Sequence, residues 1–242
     1  QATVAYMNLT GTHAVITGAS SGIGTTLAAA LAHEGVHLHL LGRDASKLER
    51  VREHIQTDVN GVITVQVHAF DLTDDAEVTA FCHAQHDATI DMLIHSAGVV
   101  ELGKLADSSI DTLDWHYNIN VRAPYLLTKG LLNQLEASSG HIVFINSGAG
   151  LRANAGWGQY AMSKFALKAL ADSLRAELDN VRVLSVYPGR TATPMQQTVY
   201  DQEGKTYAPE PLIQPEDVAS QVVGVLKLPR RASVIDLNIR QS

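Results

Sequence analysis

The sequence predicts one doubly wound α/β domain, a parallel sheet covered by helices on both faces, in three layers. Three observations carry that expectation. Short continuous apolar runs, without the alternation of a half-exposed sheet, recur along the chain with helical stretches between them. No internal repeat, low-complexity stretch or linker divides the 242 residues, so residues 1–242 read as a single domain. Apolar residues make up 45% and charged residues 18%, an ordinary balance for a large globular core.

Each element has its own local signal. "HAVITG" reads as a first strand, and "GIGTTLAAALAHEG" as a helix of small residues closed at Gly35. "VHLHLLGR" is a second strand; "DASKLERVREHIQ" is amphipathic, with Asp44 or Ser46 in position to cap it. "VITVQVHAFDL" is a third strand, followed by a helix in "TDDAEVTAFCHAQ" with Thr73 as its expected N-cap and acids in the first turn. "IDMLIHSAG" gives a fourth strand, and "LDWHYNINVRAPYLLTKGLLNQLEAS" reads as one long helix. "GHIVFINSG" is a fifth strand, a helix spans about 159–179, and "VRVLSVYPG" is a sixth strand. "QPEDVASQVVGVLKL" and "ASVIDLNI" close the chain as a helix and a strand. The stretch 193–214, with three prolines and two tyrosines, breaks this rhythm and reads as a lid or binding loop.

Composition excludes several function classes. A formal charge of −7 argues against a nucleic-acid partner. No run reaches the length of a membrane span, and "QATVAYMNL" lacks the parts of a signal peptide; Met7 could be the natural start. Cys82 is the only cysteine, which rules out an intrachain disulfide and makes a reducing cytoplasm the default location. Eleven histidines invite a metal, but neither His83 and His86 beside Cys82 nor His37 and His39 gather a third ligand in sequence, so none is expected.

The chemistry-bearing residues begin at the first strand–helix junction. In "TGASSGIG", Gly18, Gly22 and Gly24, with Ser20, Ser21 and Ile23 between them, suit a tight turn that lays helix N–H groups against a pyrophosphate. Arg43 stands nineteen residues past Gly24, where dinucleotide folds hold either an acid for the ribose hydroxyl or an arginine for a 2′-phosphate. A guanidinium there favours NADP(H) over NAD(H), with Asp44 as the rival ribose ligand. Farther on, Tyr160 and Lys164 lie four residues apart on one helix face.

Taken together and in this order, the glycine motif, "SAG" at 96–98, Asn120, Ser147, Y-x-x-x-K at 160–164 and "PGRTAT" at 188–193 resemble the short-chain dehydrogenase/reductase family, in its ordinary single-domain branch with a Rossmann fold. The resemblance implies a carbonyl or alcohol substrate, hydride transfer, and Tyr160 as general acid or base. Ser147 would hold the substrate oxygen and Asn120 a water relaying protons to Lys164, with Asn118 as the competing asparagine. A phenol working near neutrality needs a shift of roughly three units, about 4 kcal/mol, which the Lys164 ammonium is expected to provide, helped by the positive nicotinamide ring. Asp71 with Leu72 would meet the adenine, Ser96, Ala97 and Gly98 the cofactor's far side, and Pro188, Gly189, Thr191 and Thr193 the carboxamide. Lys164 would also bond the nicotinamide ribose. "HSAG" departs from the family's usual Asn-Asn-Ala-Gly, leaving strand stabilisation by that asparagine in question. A homodimer or homotetramer through the helices at about 112–137 and 159–179 is implied; a non-catalytic NADP(H) sensor on the same fold is the alternative.

Overall fold

In the computed structural model, residues 5–242 are described; the leading "QATV", part of the stretch read for a signal peptide and a native start, lies outside them. Seven parallel strands form one sheet in the order β3-β2-β1-β4-β5-β6-β7. They are β1 (His13–Thr17), β2 (His37–Gly42), β3 (Val65–Ala69), β4 (Met92–His95), β5 (His141–Ile145), β6 (Arg182–Pro188) and β7 (Asp236–Ile239). The order of strands reverses between β1 and β4, the switch point at which open α/β sheets bind ligands.

Two apolar layers explain why the strands lack alternation. On one face Ile16, Leu38, Leu40, Val143 and Val186 pack under α1 (Gly22–His33), α2 (Ala45–Asp58) and α8 (Pro215–Leu226). On the other, Val15, Leu41, Leu93, Ile142 and Phe144 pack under α3 (Asp75–Ala84), α5 (Ala123–Ala137) and α6 (Gly158–Glu177). Both sets of strand positions are apolar because both faces are covered. Among the described residues no helix is long and apolar enough to cross a membrane. The lone Cys82 is buried against α5, and burial pushes its thiol up to about 11.

Three local expectations are corrected, and one choice between two caps is decided. The helix expected to start at Thr73 is capped by Asp74, whose Oδ1 accepts from Ala76 N at 2.9 Å and Glu77 N at 3.1 Å; Thr73 instead closes a turn on Asp71. Of the two candidate caps of α2, Asp44 is used, accepting from Lys47 N at 3.0 Å. The single long helix is interrupted: α4 (Ile110–Tyr117) and α5 are joined by a π turn over Asn118–Arg122. The stretch 193–214 is only partly loop. Thr193 caps it, Pro194 occupies the first helical position, and α7 (Pro194–Gln202) follows.

His95, in the place of the family's usual asparagine, answers the question its motif raised. Its ring is fully buried, bonds Thr128 Oγ1 of α5 at 2.8 Å through Nε2, and stacks on Phe144 at 4.9 Å. Burial holds it down to about 3, and likewise holds His141 to about 3 and His39 to about 4. The unfolded chain takes up these protons near pH 6.5 while the folded chain does not, so stability rises with pH through this window and is lost on acidification. Chemical denaturation at pH 7 and pH 5 should show that loss, and His95→Asn should remove about 2 kcal/mol of it. An unchanged pH slope in the variant would show that His95 contributes nothing to it.

Candidate active site

The β1–α1 turn is shaped by contacts that leave no room for side chains. A Cβ on Gly18 would lie 2.7 Å from Ala97 N, and Gly18 has φ 63°. Gly24 presses against the Gly18 carbonyl, and Gly22 turns with φ 57°. Thr17 Oγ1 accepts from Ser96 N and Ala97 N, both at 3.1 Å, which ties this turn to the end of β4. The Ser21 N-cap makes no side-chain capping bond, so the first N–H groups of α1 stay available to an anion.

This turn forms one end of a cleft of about 690 Å³ at the carboxyl edge of the sheet. Its walls contain Gly18, Ser20, Ser21, Gly22 and Ile23, then Arg43, Asp71 and Leu72, then Ser96, Ala97 and Gly98. At the far end stand Ser147, Tyr160 and Lys164, facing Pro188, Gly189, Thr191 and Thr193. Two of the expected site residues do not line it. Gly24 supports Gly18 from below, and Asn120 lies behind the wall.

Asn120, not Asn118, is the buried member of the pair. The π turn carries it inward, where Oδ1 accepts from Val99 N at 2.9 Å and Nδ2 donates to Val99 O at 3.0 Å and Ser163 Oγ at 2.9 Å. Asn120 Oδ1 and Lys164 Nζ converge on Gly98, at 3.4 Å and 3.6 Å from where a Cβ would sit.

Tyr160 and Lys164 are 5% and 4% exposed, and the ammonium stands 5.7 Å from the phenol ring centroid, near Ile145 O at 3.3 Å. Burial pushes the phenol up to about 12, against the opposing bond from the Ser147 hydroxyl, and burial brings the Lys164 ammonium down to about 8.

Other expected roles meet prior commitments. Thr193 Oγ1 accepts from Gln196 N at 3.2 Å as the cap of α7, and donates to Thr191 O at 3.3 Å. Asp71 Oδ1 accepts from Thr73 N at 2.9 Å and Thr73 Oγ1 at 2.8 Å while lining the cleft. Arg43 stands exposed at the rim with no hydrogen-bond or ion-pair partner among the described residues. Asp44, its rival, is occupied by Lys47 N and by Ser46 Oγ at 2.8 Å. Free guanidinium, glycine cradle and uncapped helix start together fit a 2′-phosphorylated dinucleotide.

Sequence reasoning missed Asn146, Thr17 and Arg240. Asn146 Nδ2 donates to Lys164 O at 3.1 Å and its Oδ1 accepts from Ser147 N at 2.8 Å, fixing the catalytic helix to the end of β5. Its place beside Ser147 in "INSG" was the available signal. Arg152, Arg190 and Arg240 also line the cleft; Arg152 lies in "GLRANAGWGQ" (150–159), a stretch expected with 193–214 to form the substrate pocket, and Arg190 in "PGRTAT", whereas nothing marked Arg240.

Comparison with known proteins agrees with this geometry. The family model described as short chain dehydrogenase matches residues 12–204. The short-chain type dehydrogenase/reductase y4eK of Sinorhizobium fredii is 34% identical, over 93% of this chain and 90% of its own length. The glycine betaine reductase ATRR of Emericella nidulans is 33% identical over 96% of this chain, which spans only 19% of that longer protein. A short-chain dehydrogenase of Shigella flexneri, solved with NADP, superposes with a TM-score of 0.87 at 28% identity, covering 96% of this chain and 98% of that one.

Proposed function

The chain belongs to the short-chain dehydrogenase family, and from that premise we propose that it is an NADPH-dependent oxidoreductase interconverting a carbonyl and a secondary alcohol. The observation that supports this most is the meeting of the buried Tyr160 and Lys164 with Ser147 on an open cleft wall, continuous with the glycine cradle. A sensor that binds without turnover has no use for that trio.

The residues that would hold the dinucleotide divide along the cleft. The Gly18–Gly24 turn, with Ser20, Ser21 and Ile23, would take the pyrophosphate, Arg43 the 2′-phosphate, and Asp71 with Leu72 the adenine. Ser96, Ala97, Gly98, Pro188, Gly189, Thr191 and Thr193 would frame the nicotinamide half, with Lys164 on its ribose. Several matched structures hold NADP or NADPH, which favours the same cofactor here. When bound, the dinucleotide supplies the hydride.

The chain's own part is orientation and the proton. Ser147 holds the substrate oxygen, and Tyr160 gives that oxygen its proton as negative charge develops there. A phenol held high by burial keeps its proton through neutrality, which suits donation in the reductive direction. Lys164, still charged below about pH 8, steadies the phenolate left behind. Asn120 holds the replenishing water beside Lys164, and α7 with the rest of 193–214 covers the substrate. In the reverse direction Tyr160 takes the alcohol proton, so oxidation gains as pH rises. The single buried Cys82 suits a reducing cytoplasm, which cell fractionation checks.

Three outcomes follow from this assignment. Tyr160→Phe should lower kcat on a ketone, quinone and aldehyde panel by about 10²- to 10⁴-fold while NADPH affinity is largely retained. Reduction by the unaltered chain should decline above about pH 8 as Lys164 loses its proton. Tight NADPH binding with no turnover on any panel member would favour the sensor reading instead. Second, Arg43→Ala should weaken NADPH about tenfold or more and leave NADH little changed; preferential NADH binding by the unaltered chain would overturn the cofactor choice. Third, Trp115, Tyr117, Tyr125, Met162 and Phe165 are exposed along α4, α5 and α6, as a homodimer or homotetramer through these helices requires. Sedimentation velocity should show an assembly that Phe165→Glu dissociates, and a monomer in the unaltered chain would refute it.

A further inference from the structure

The distribution of charge in the cleft does not match that of the chain. The whole chain carries a formal charge of −7, yet the cleft walls hold Arg43, Arg152, Lys164, Arg190 and Arg240 against a single carboxylate, Asp71. Arg43 stands with Asp71 at the Gly18 end, and burial of Lys164 accounts for its place by Tyr160. Three arginines remain, of which Arg152 and Arg240 have no ion-pair partner among the described residues.

The fold places them there in three different ways. Strand β7 runs parallel to β6, with Ile239 O accepting from Gly189 N at 2.8 Å, so the chain leaves the sheet at its carboxyl edge and Arg240 is the next residue. Arg240 Nη1 lies 3.4 Å from where a Cβ on Gly148 would stand, directly after Ser147. Arg152 follows the short 3₁₀ turn Gly148–Gly150, with its N–H bonded to Gly148 O at 3.1 Å. Neither guanidinium has an ion-pair partner among the described residues. Arg190 differs: Nη2 pairs with Glu203 Oε1 at 2.7 Å, and the group lies over Trp157 at 6.0 Å and Tyr200 at 5.1 Å. Its Nη1 nevertheless is a buried donor with no partner, as is Gln196 Nε2, and both residues line the same cleft. Both atoms are closed off from solvent within the wall, which makes that wall polar beneath its surface.

We propose that the substrate carries a carboxylate in addition to its carbonyl, and that Arg240 and Arg152 receive it. Val100, Leu151, Trp157, Met195 and Val199 line the remainder and suit an apolar or aromatic body between the two polar groups. Planar guanidinium forks match a carboxylate, and a cationic mouth on an acidic protein draws anions toward it. This assignment rests on the carbonyl-reductase reading and names its substrate class.

The test uses matched pairs: benzoylformate and 3-benzoylpropionate, each with its methyl ester, which removes the charge; in 3-benzoylpropionate two methylenes keep the ketone's own reactivity the same in acid and ester. Binding is measured first, by calorimetry on the NADPH-loaded chain, and turnover second. At least one acid should bind and react with a kcat/KM ten or more times that of its ester, the excess shrinking as salt rises. Arg240→Gln and Arg152→Gln should each lower the acid-to-ester ratio severalfold or more, mainly through KM. Acid and ester of both pairs behaving alike, or variants that slow both equally, would overturn the carboxylate assignment and leave the reductase reading standing. Acids that bind in an Arg240-dependent manner without turnover would support the anion site while removing the reductase reading.

Discussion

The turn after β1 and the end of β4 approach each other backbone to backbone, and the cleft takes its shape from that approach. Gly18 has no space for a Cβ beside Ala97, and Thr17 holds Ser96 and Ala97 by its hydroxyl. Both strands end at the switch point, where the helices that follow them leave in opposite directions and open a crevice. A parallel sheet buried on both faces has no other surface to offer, so every group of chemical interest here comes from the carboxyl end of a strand or the helix after it. Ser147 and Gly189 follow β5 and β6, and Arg240 follows β7.

At the far end of this crevice, desolvation and charge act in opposite directions. Tyr160 and Lys164 are both buried, and each is pushed toward its neutral form: the phenol keeps its proton and the amine holds its own less firmly. The two groups stand one helical turn apart on α6, and both line the same cleft wall. Asn146 and Asn120 fix the two sides of this arrangement by bonding to Lys164 O and to Val99.

The layered fold was legible because each strand is a short run of apolar residues and each helix has its own cap or periodicity. The site was legible where chemistry dictates residue type: a glycine that meets a backbone, a tyrosine and lysine in register. What escaped was set by tertiary context. Nothing in "NINVRAP" distinguishes a π turn from continuous helix, because the extra residue is accommodated by Asn120 turning inward to Val99 and Ser163. The prolines and glycine of 193–214 masked α7, although Thr193-Pro194 is a good helix start. Thr73 lost its capping role to Asp74 by one position, since either side chain satisfies the local rule and only the backbone path chooses. The cleft arginines come from separate strands and turns, and sequence spacing holds no record of their meeting.

That same segment ties the lid to the chemistry. Its two ends are joined where Thr191 pairs with Ile213, with Ala192 N bonding Ile213 O at 2.8 Å and Ile213 N bonding Arg190 O at 3.1 Å. Between these ends, α7 contributes Val199 to a small apolar cluster with Val100, Ala149, Ala161 and Tyr160 itself. Tyr160 is therefore buried in part by α7. Arg190 and Glu203 bridge the base of the lid to its far end, and Tyr200 packs over the same guanidinium. The burial of the phenol is thus not a property of α6 alone: it depends on where α7 lies, because Val199 closes the same apolar cluster.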